Sequence, residues 1–267
     1  MLSSVMTKTL RDQRRALLIW SVSLVLLVGM YAAFYPSIKG DAGYSDLIAR
    51  MPESMRALFT AGGGGDLGTG EGFLYMELLS FMGPMIILGY TISAGTSVLA
   101  GEEAKRTFDL LLTAPVSRAR VLLEKSAAVA VVTVVLMVVL GLAVQLEGAA
   151  VGMGLAPSRV AAAMLHLGLL GLEFGALAIL IAAATGRLAL SWAIPAAVAV
   201  LAYVLNGIAP LVSWLEPYRN LSPFYYYIGH DPIRSGVWLP GIAVMVISIA
   251  IMIAVAIPLF RRRDIAG

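Results

Sequence analysis

The sequence predicts an all-α protein that crosses a membrane six times, on three observations. Of its 267 residues, 60% are hydrophobic and only 13% are charged, at a mean hydropathy of +0.88. A soluble domain carries about 45–50% apolar and about 25% charged residues, so this composition excludes a soluble enzyme or binding module. The apolar residues fall in blocks of about 20 or more, the length a helix needs to cross the hydrocarbon core. Within the blocks, Leu, Val, Ile and Ala run without two-residue alternation. That pattern excludes a β-barrel and leaves helices, which satisfy their own backbone in lipid.

The spans fall at about residues 16–38, 78–100, 121–146, 160–186, 188–212 and 237–260 of a single transmembrane domain covering 1–267. The first follows Lys8, Arg11, Arg14 and Arg15, a basic start like that of a signal peptide. Its apolar run exceeds an h-region of about 7–15 residues, so it reads as an uncleaved span. Ahead of it, Leu2, Val5, Met6 and Leu10 share one helical face and Lys8, Arg11 and Arg15 another, which predicts a short helix lying at the interface. The second span is uncharged, and the third opens on Glu124 and Lys125 and is uncharged from Ser126. The fourth is interrupted by His166 and Glu173; the last two are uncharged. Pro36, Pro84, Pro195, Pro210, Pro240 and Pro258 lie mainly near span ends, where a missing backbone donor is tolerated best.

Charge orients the chain. A net charge of +3 does not suggest nucleic acid despite a pI near 9.2, because the basic residues gather where the apolar blocks end. Six spans put both termini on one side. That side holds Lys8, Arg11, Arg14, Arg15, Lys105, Arg106, Arg118, Arg120, Lys125, Arg187, Arg261, Arg262 and Arg263. The other side holds Lys39, Arg50, Arg56, Arg159, Arg219 and Arg234. The excess of Lys and Arg predicts cytoplasmic termini in a plasma (inner) membrane. With no cysteine, the chain has no disulfide framework, thiolate nucleophile or cysteine-based metal site.

Three loops exceed what turning round requires. Residues 39–77 contain the tract Ala61-Gly62-Gly63-Gly64-Gly65-Asp66-Leu67-Gly68-Thr69-Gly70, which no Lys-Ser or Lys-Thr follows; it reads as a flexible hinge and not as a phosphate cradle. Residues 210–236 concentrate Trp214, Tyr218, Phe224, Tyr225, Tyr226 and Tyr227, with Trp238 just beyond. Such aromatics sit at headgroup depth, either as a plain belt or as a re-entrant segment closing the outer mouth, with Phe224, Tyr225 and Tyr226 as its gate. Residues 101–125 read GEEAKRTFDLLLTAPVSRARVLLEK. On a helix of about 102–113, Glu102 faces Arg106 and Lys105 faces Asp109, with Phe108, Leu111 and Leu112 on another side. Ala114-Pro115 stops that helix, and Ser117 caps the next. An amphipathic helix between two spans either lies across the membrane face or docks into a partner.

In this segment the sequence resembles the integral-membrane permease subunits of ABC-2 type ATP-driven exporters. The residues that carry the resemblance are Glu102, Glu103, Thr107, Leu110, Leu111, Leu112, Pro115, Val116, Arg118 and Lys125. Arg106 stands where the family has Gly before the Thr. Leu221-Ser222-Pro223-Phe224-Tyr225-Tyr226 followed by Asp231-Pro232, and Tyr35-Pro36-Ser37 after the first span, are also similar to that family. The resemblance implies half of a transporter. It would pair with a second permease subunit, as a homodimer or with a paralogue, and dock on two copies of an ATP-binding subunit. The coupling helix would offer Glu102, Glu103, Arg106, Phe108, Asp109, Leu111, Leu112 and Arg118 to that subunit. ATP and Mg would sit on the partner; this chain would bind no cofactor, metal or nucleic acid and touch only lipid and its partner subunits. No G-x-x-x-x-G-K-[ST] and no H-E-x-x-H occurs, so no catalytic residue is assigned.

Inside the membrane, Glu173 and His166 lie seven residues apart on one face of the fourth span. A charged acid there costs roughly 2.5–3.5 kcal/mol, so it is neutral or faces protein or water. With Asn206 the two form a tentative substrate path, or they simply bond neighbouring helices. An ion-coupled secondary transporter using Glu173 and His166 is the alternative function, and a membrane assembly factor or sensor a third. Small residues fill spans four and five, which suits close packing or an apolar path. A hydrophobic drug, antibiotic, peptide or lipid-like cargo is therefore favoured over a sugar polymer.

Overall fold

The computed structural model describes residues 5–39, 50–59, 68–104 and 117–263. Six long apolar helices dominate, and no strand occurs among the described residues. They are α1 (Val5–Ile38), α3 (Gly70–Ala104), α4 (Arg118–Ala150), α5 (Pro157–Thr185), α6 (Leu188–Ile208) and α9 (Leu239–Arg262). Short helices lie between them: α2 (Glu53–Phe59), α7 (Pro223–Ile228) and α8 (Pro232–Ser235).

Several helices outrun the apolar spans that predicted them. From Val5 onward the stretch expected as a separate interfacial helix is continuous with α1, whose 34 residues measure about 51 Å against a hydrocarbon core of about 30 Å, while Leu2 lies outside the described residues. Its first turn is held by α4, because the Met6 N–H, orphaned at a helix start, donates to the Glu124 carboxylate at 3.0 Å. Likewise α3 begins inside the loop expected over 39–77. There Thr69 caps it, its hydroxyl accepting from the Gly72 N–H at 3.1 Å. The glycine tract ahead of Gly68 lies outside the described residues.

The hub is α5. It packs on α3, α4, α6 and α9, and 67% of its apolar window is buried against 11% for α9 and 17% for α1. Small residues allow this. A Cβ on Gly171 would fall 2.4 Å from the Ile87 side chain, and one on Gly95 would fall 2.5 Å from the Gly175 carbonyl. Gly171 and Gly175 are spaced as in the close-packing motif of membrane helices, where backbones must approach because lipid gives no hydrophobic drive. The small residues of span four therefore serve packing. The outward faces of α1, α6 and α9 carry large apolar side chains such as Leu26, Leu201 and Ile247, as a lipid-facing surface requires.

Candidate functional site

The third helix carries the two places where the bundle departs from regular geometry. It widens to a π-helix at Tyr75–Met82 and again at Ser97–Gly101, and each time a carbonyl leaves the helical ladder for a buried side chain from elsewhere. Single wide turns of this kind recur at functional sites.

At Tyr75–Met82 the cause is Pro84. A helical proline clashes with the carbonyl four residues back and lacks an N–H, and widening the turn relieves the clash. The Gly83 N–H then donates to Leu78 O, five residues back. In that register the next donor, for Leu79 O, would come from Pro84, which has none. The Tyr227 hydroxyl of α7 supplies it at 2.8 Å. Burial, aided by Tyr75 and Tyr203, raises Tyr227 well above the ordinary phenol range, so it stays a donor. The helix α7 is aimed by Ser222, whose hydroxyl caps Phe224 N–H and donates to Ala202 O of α6 at 2.7 Å. Pro223 at the first helical position reinforces the start.

At the other end the cause is a lysine. Lys125 of α4 is 1% exposed; its ammonium donates to Val98 O at 2.5 Å and pairs with the Glu102 carboxylate. The Glu102 N–H, the ordinary partner of Val98 O, turns to Leu99 O. Next to it, Glu103 pairs with Arg263 beyond α9. Arg263 also donates to Ala182 O at 2.6 Å, which accepts the Gly186 N–H as well, and to Ala183 O at 3.2 Å, both carbonyls in the last turn of α5. Arg118 donates to Arg263 O at 2.6 Å. Two consecutive glutamates thus grip different partners, Glu102 on α4 and Glu103 on the ends of α5 and α9. Gly186 makes room, standing at φ +65 as the left-handed cap of α5; a Cβ there would lie 2.8 Å from Glu103 Oε2 and 2.9 Å from Arg263 Nη1.

The predicted residues distribute unevenly. Glu102, Glu103 and Arg118 meet in this cluster, but Glu102, which the sequence set opposite Arg106, reaches Lys125. Arg106, Phe108, Asp109, Leu111 and Leu112, with the rest of 105–116, lie outside the described residues. His166, Glu173 and Asn206 each have a polar neighbour of their own. His166 is buried with Nδ1 2.9 Å from Ala162 O of its own helix. Glu173, two turns on, has Ser248 of α9 in hydrogen-bonding reach and one carboxylate oxygen without a partner. Asn206 is buried and accepts from Arg219 Nε at 3.2 Å. The outer trio also divides. Phe224 enters the core against Tyr203 and Phe174, with ring centroids 5.3 and 6.2 Å away, whereas Tyr225 and Tyr226 pack on Trp238. Sequence reasoning placed Tyr227 in the aromatic segment but left it out of the gate, named Lys125 only as a topological charge and an element of the family resemblance, and counted Arg263 only as a topological charge. The available signal for Lys125 was its place at the start of an apolar window, about two turns into α4.

Residues 2–261 match the family described as the multidrug efflux system permease Rv1217c, C-terminal domain. The chain belongs to that family. No curated protein matches it. The permease is thus a multi-pass transport subunit and not a catalytic enzyme. Among the described residues no group of His, Cys, Asp and Glu is arranged to hold a metal.

Proposed function

We propose that the permease is the membrane subunit of an ATP-driven ABC-2 type exporter. It would form half of a translocation pathway, pair with a second permease subunit and dock on two ATP-binding subunits. It would sit in the plasma membrane with both termini cytoplasmic, and its cargo would be a hydrophobic drug, antibiotic, peptide or lipid-like molecule. The observation that carries this reading is the pair of glutamates at the root of segment 105–116. A push on that segment reaches α4 through Glu102 and Lys125, and reaches α5 and α9 through Glu103 and Arg263. The sequence that resembles a coupling helix runs from about 102 to 113, so the roles divide along it and into Arg118. Phe108, Asp109, Leu111, Leu112 and Arg106 contact the ATPase, while Glu102, Glu103 and Arg118 transmit its movement. ATP binding and hydrolysis on the partner would then bias the paired permeases between inward and outward access.

Purification of the permease from native membranes in mild detergent tests this. A P-loop ATPase should co-purify with it and be lost on Phe108→Ala. Glu103→Gln should keep the ATPase bound but uncouple hydrolysis from export. A stable permease oligomer carrying no ATPase, or export unchanged in both variants, would overturn the reading.

A further inference from the structure

We propose that the groove between α4 and α5 binds uncharged, drug-sized apolar molecules that enter sideways from the bilayer. The proposal rests on reading the chain as an efflux permease. The groove runs along two membrane-spanning helices, from Thr133 to Gln145 on α4 and from Pro157 to Leu172 on α5, and encloses about 440 Å³. Small-molecule sites measure about 300–1,000 Å³.

Its floor is built from two reciprocal pairs. Met137 of α4 lies over Gly168 of α5, where a Cβ would be 2.9 Å from its Cγ. Met164 of α5 lies over Gly141 of α4, where a Cβ would be 3.1 Å away. Each methionine stands four residues before the glycine on its own helix, so the antiparallel helices exchange one side chain into the other's notch. Unbranched, polarizable methionines re-pack at small cost and line surfaces that accept varied ligands. A floor that changes shape suits rigid molecules of differing outline, whereas an acyl chain adapts its own shape.

The lining carries no charge, and its two polar side chains are Thr133 and Gln145. The Thr133 hydroxyl donates to Val129 O at 2.9 Å, and the Gln145 amide to Leu155 O at 3.1 Å. Only the second amide hydrogen and the buried, unpartnered Oε1 of Gln145 remain for a polar ligand, so binding there draws chiefly on burial and dispersion, which disfavours sugars and ions.

The chain has no cysteine, so single-cysteine variants remove no native thiol. Ala161→Cys sits on the exposed rim of the groove, and Leu201→Cys, 70% exposed on α6, reports lipid alone. Both carry a bimane label in nanodiscs without any ATPase. Bromonaphthalene should quench position 161 saturably and position 201 in linear proportion to its partitioning. Val138→Trp, which fills the groove from an exposed position, should abolish the saturable part while helicity by circular dichroism stays unchanged. In nanodiscs of brominated-acyl phosphatidylcholine, unbrominated naphthalene should relieve the quenching at position 161. Linear quenching at both positions overturns the site, as does saturation that survives Val138→Trp. Lipid quenching that naphthalene cannot relieve assigns the groove to an acyl chain and also overturns it. All of these readouts are independent of ATP coupling, so failure of the exporter reading leaves them interpretable.

Discussion

The two wide turns of α3 solve one problem by different means. Near its start, Pro84 withholds a donor and a neutral hydroxyl from Tyr227 replaces it. Near its end, no proline intervenes, and an ammonium from Lys125 forces its way onto Val98 O with Glu102 as counter-ion. The first substitution is local and uncharged. The second couples α3 to α4 through a buried charge, and Glu103 extends it to α5 and α9. One end of α3 is therefore a repaired irregularity, and the other is a junction through which four helices must move together or part. A buried ion pair is weak evidence for stability but costs a great deal to break, which suits a junction that must stay intact.

Removing the lysine should have the largest effect. Lys125→Met leaves Glu102 without its counter-ion and Val98 O without a donor, and is expected to cost about 3–5 kcal/mol in thermal or denaturant unfolding. Adding Glu102→Leu should recover most of that, leaving about 1–3 kcal/mol for the orphaned carbonyl. No recovery would mean that Lys125 acts through the carbonyl alone, and the two ends would then be alike.

Two glycines sharpen the contrast at the next level. Gly186 and Gly154 have almost the same backbone, φ +65 and φ +69, but only Gly186 has neighbours where a Cβ would go. Alanine at either position should cost about 1–2 kcal/mol for the left-handed conformation. Gly186→Ala should cost measurably more, because the Glu103–Arg263 pair must shift. Equal losses in thermal melts would show that the pair is free to move aside.

The six spans and their order were legible because apolar length is a property of sequence alone. The wide turn at Tyr75–Met82 had a visible cause in Pro84, though its partner Tyr227, 143 residues beyond that proline, did not. The turn at Ser97–Gly101 had no local cause, since Lys125 acts across helices, and neither its topological charge nor its place in the family resemblance pointed to Val98 O. Glu102 and Arg106 stand at a helical spacing that favours pairing, but Arg106 lies outside the described residues, and that spacing gives no sign of Lys125, the partner that reaches Glu102 from another helix. Glu173 and His166 share a face by periodicity, but two turns separate them by about 10 Å, and each finds its own neighbour.

At the proline end a double-mutant cycle is decisive. Tyr227→Phe should cost about 1–3 kcal/mol, the penalty of a buried carbonyl left bare. Pro84→Ala restores a backbone donor beside Leu79 O, and in that background Tyr227→Phe should cost less, with a coupling of about 1 kcal/mol. Additive losses would separate the tyrosine from the proline and leave the first wide turn without its explanation.

The smallest effect concerns the one non-glycine residue at positive φ among the described residues, Asp231, at φ 48 ahead of Pro232. Burial pushes its carboxyl above the usual aspartate range, against the pull of Arg234, 3.3 Å away. A raised folded-state pKa means that stability is fully present below the unfolded value of about 3.9 and is lost as pH rises through the folded value. Asp231→Asn keeps the tolerance for this backbone and removes the charge. It should melt slightly higher than the parent at pH 7, on the order of 1 °C, and the gap should close near pH 4 as the parent's carboxyl takes up its proton. A gap of the opposite sign would mean that the ion pair with Arg234 outweighs desolvation, and that the proline end of the bundle also depends on charge.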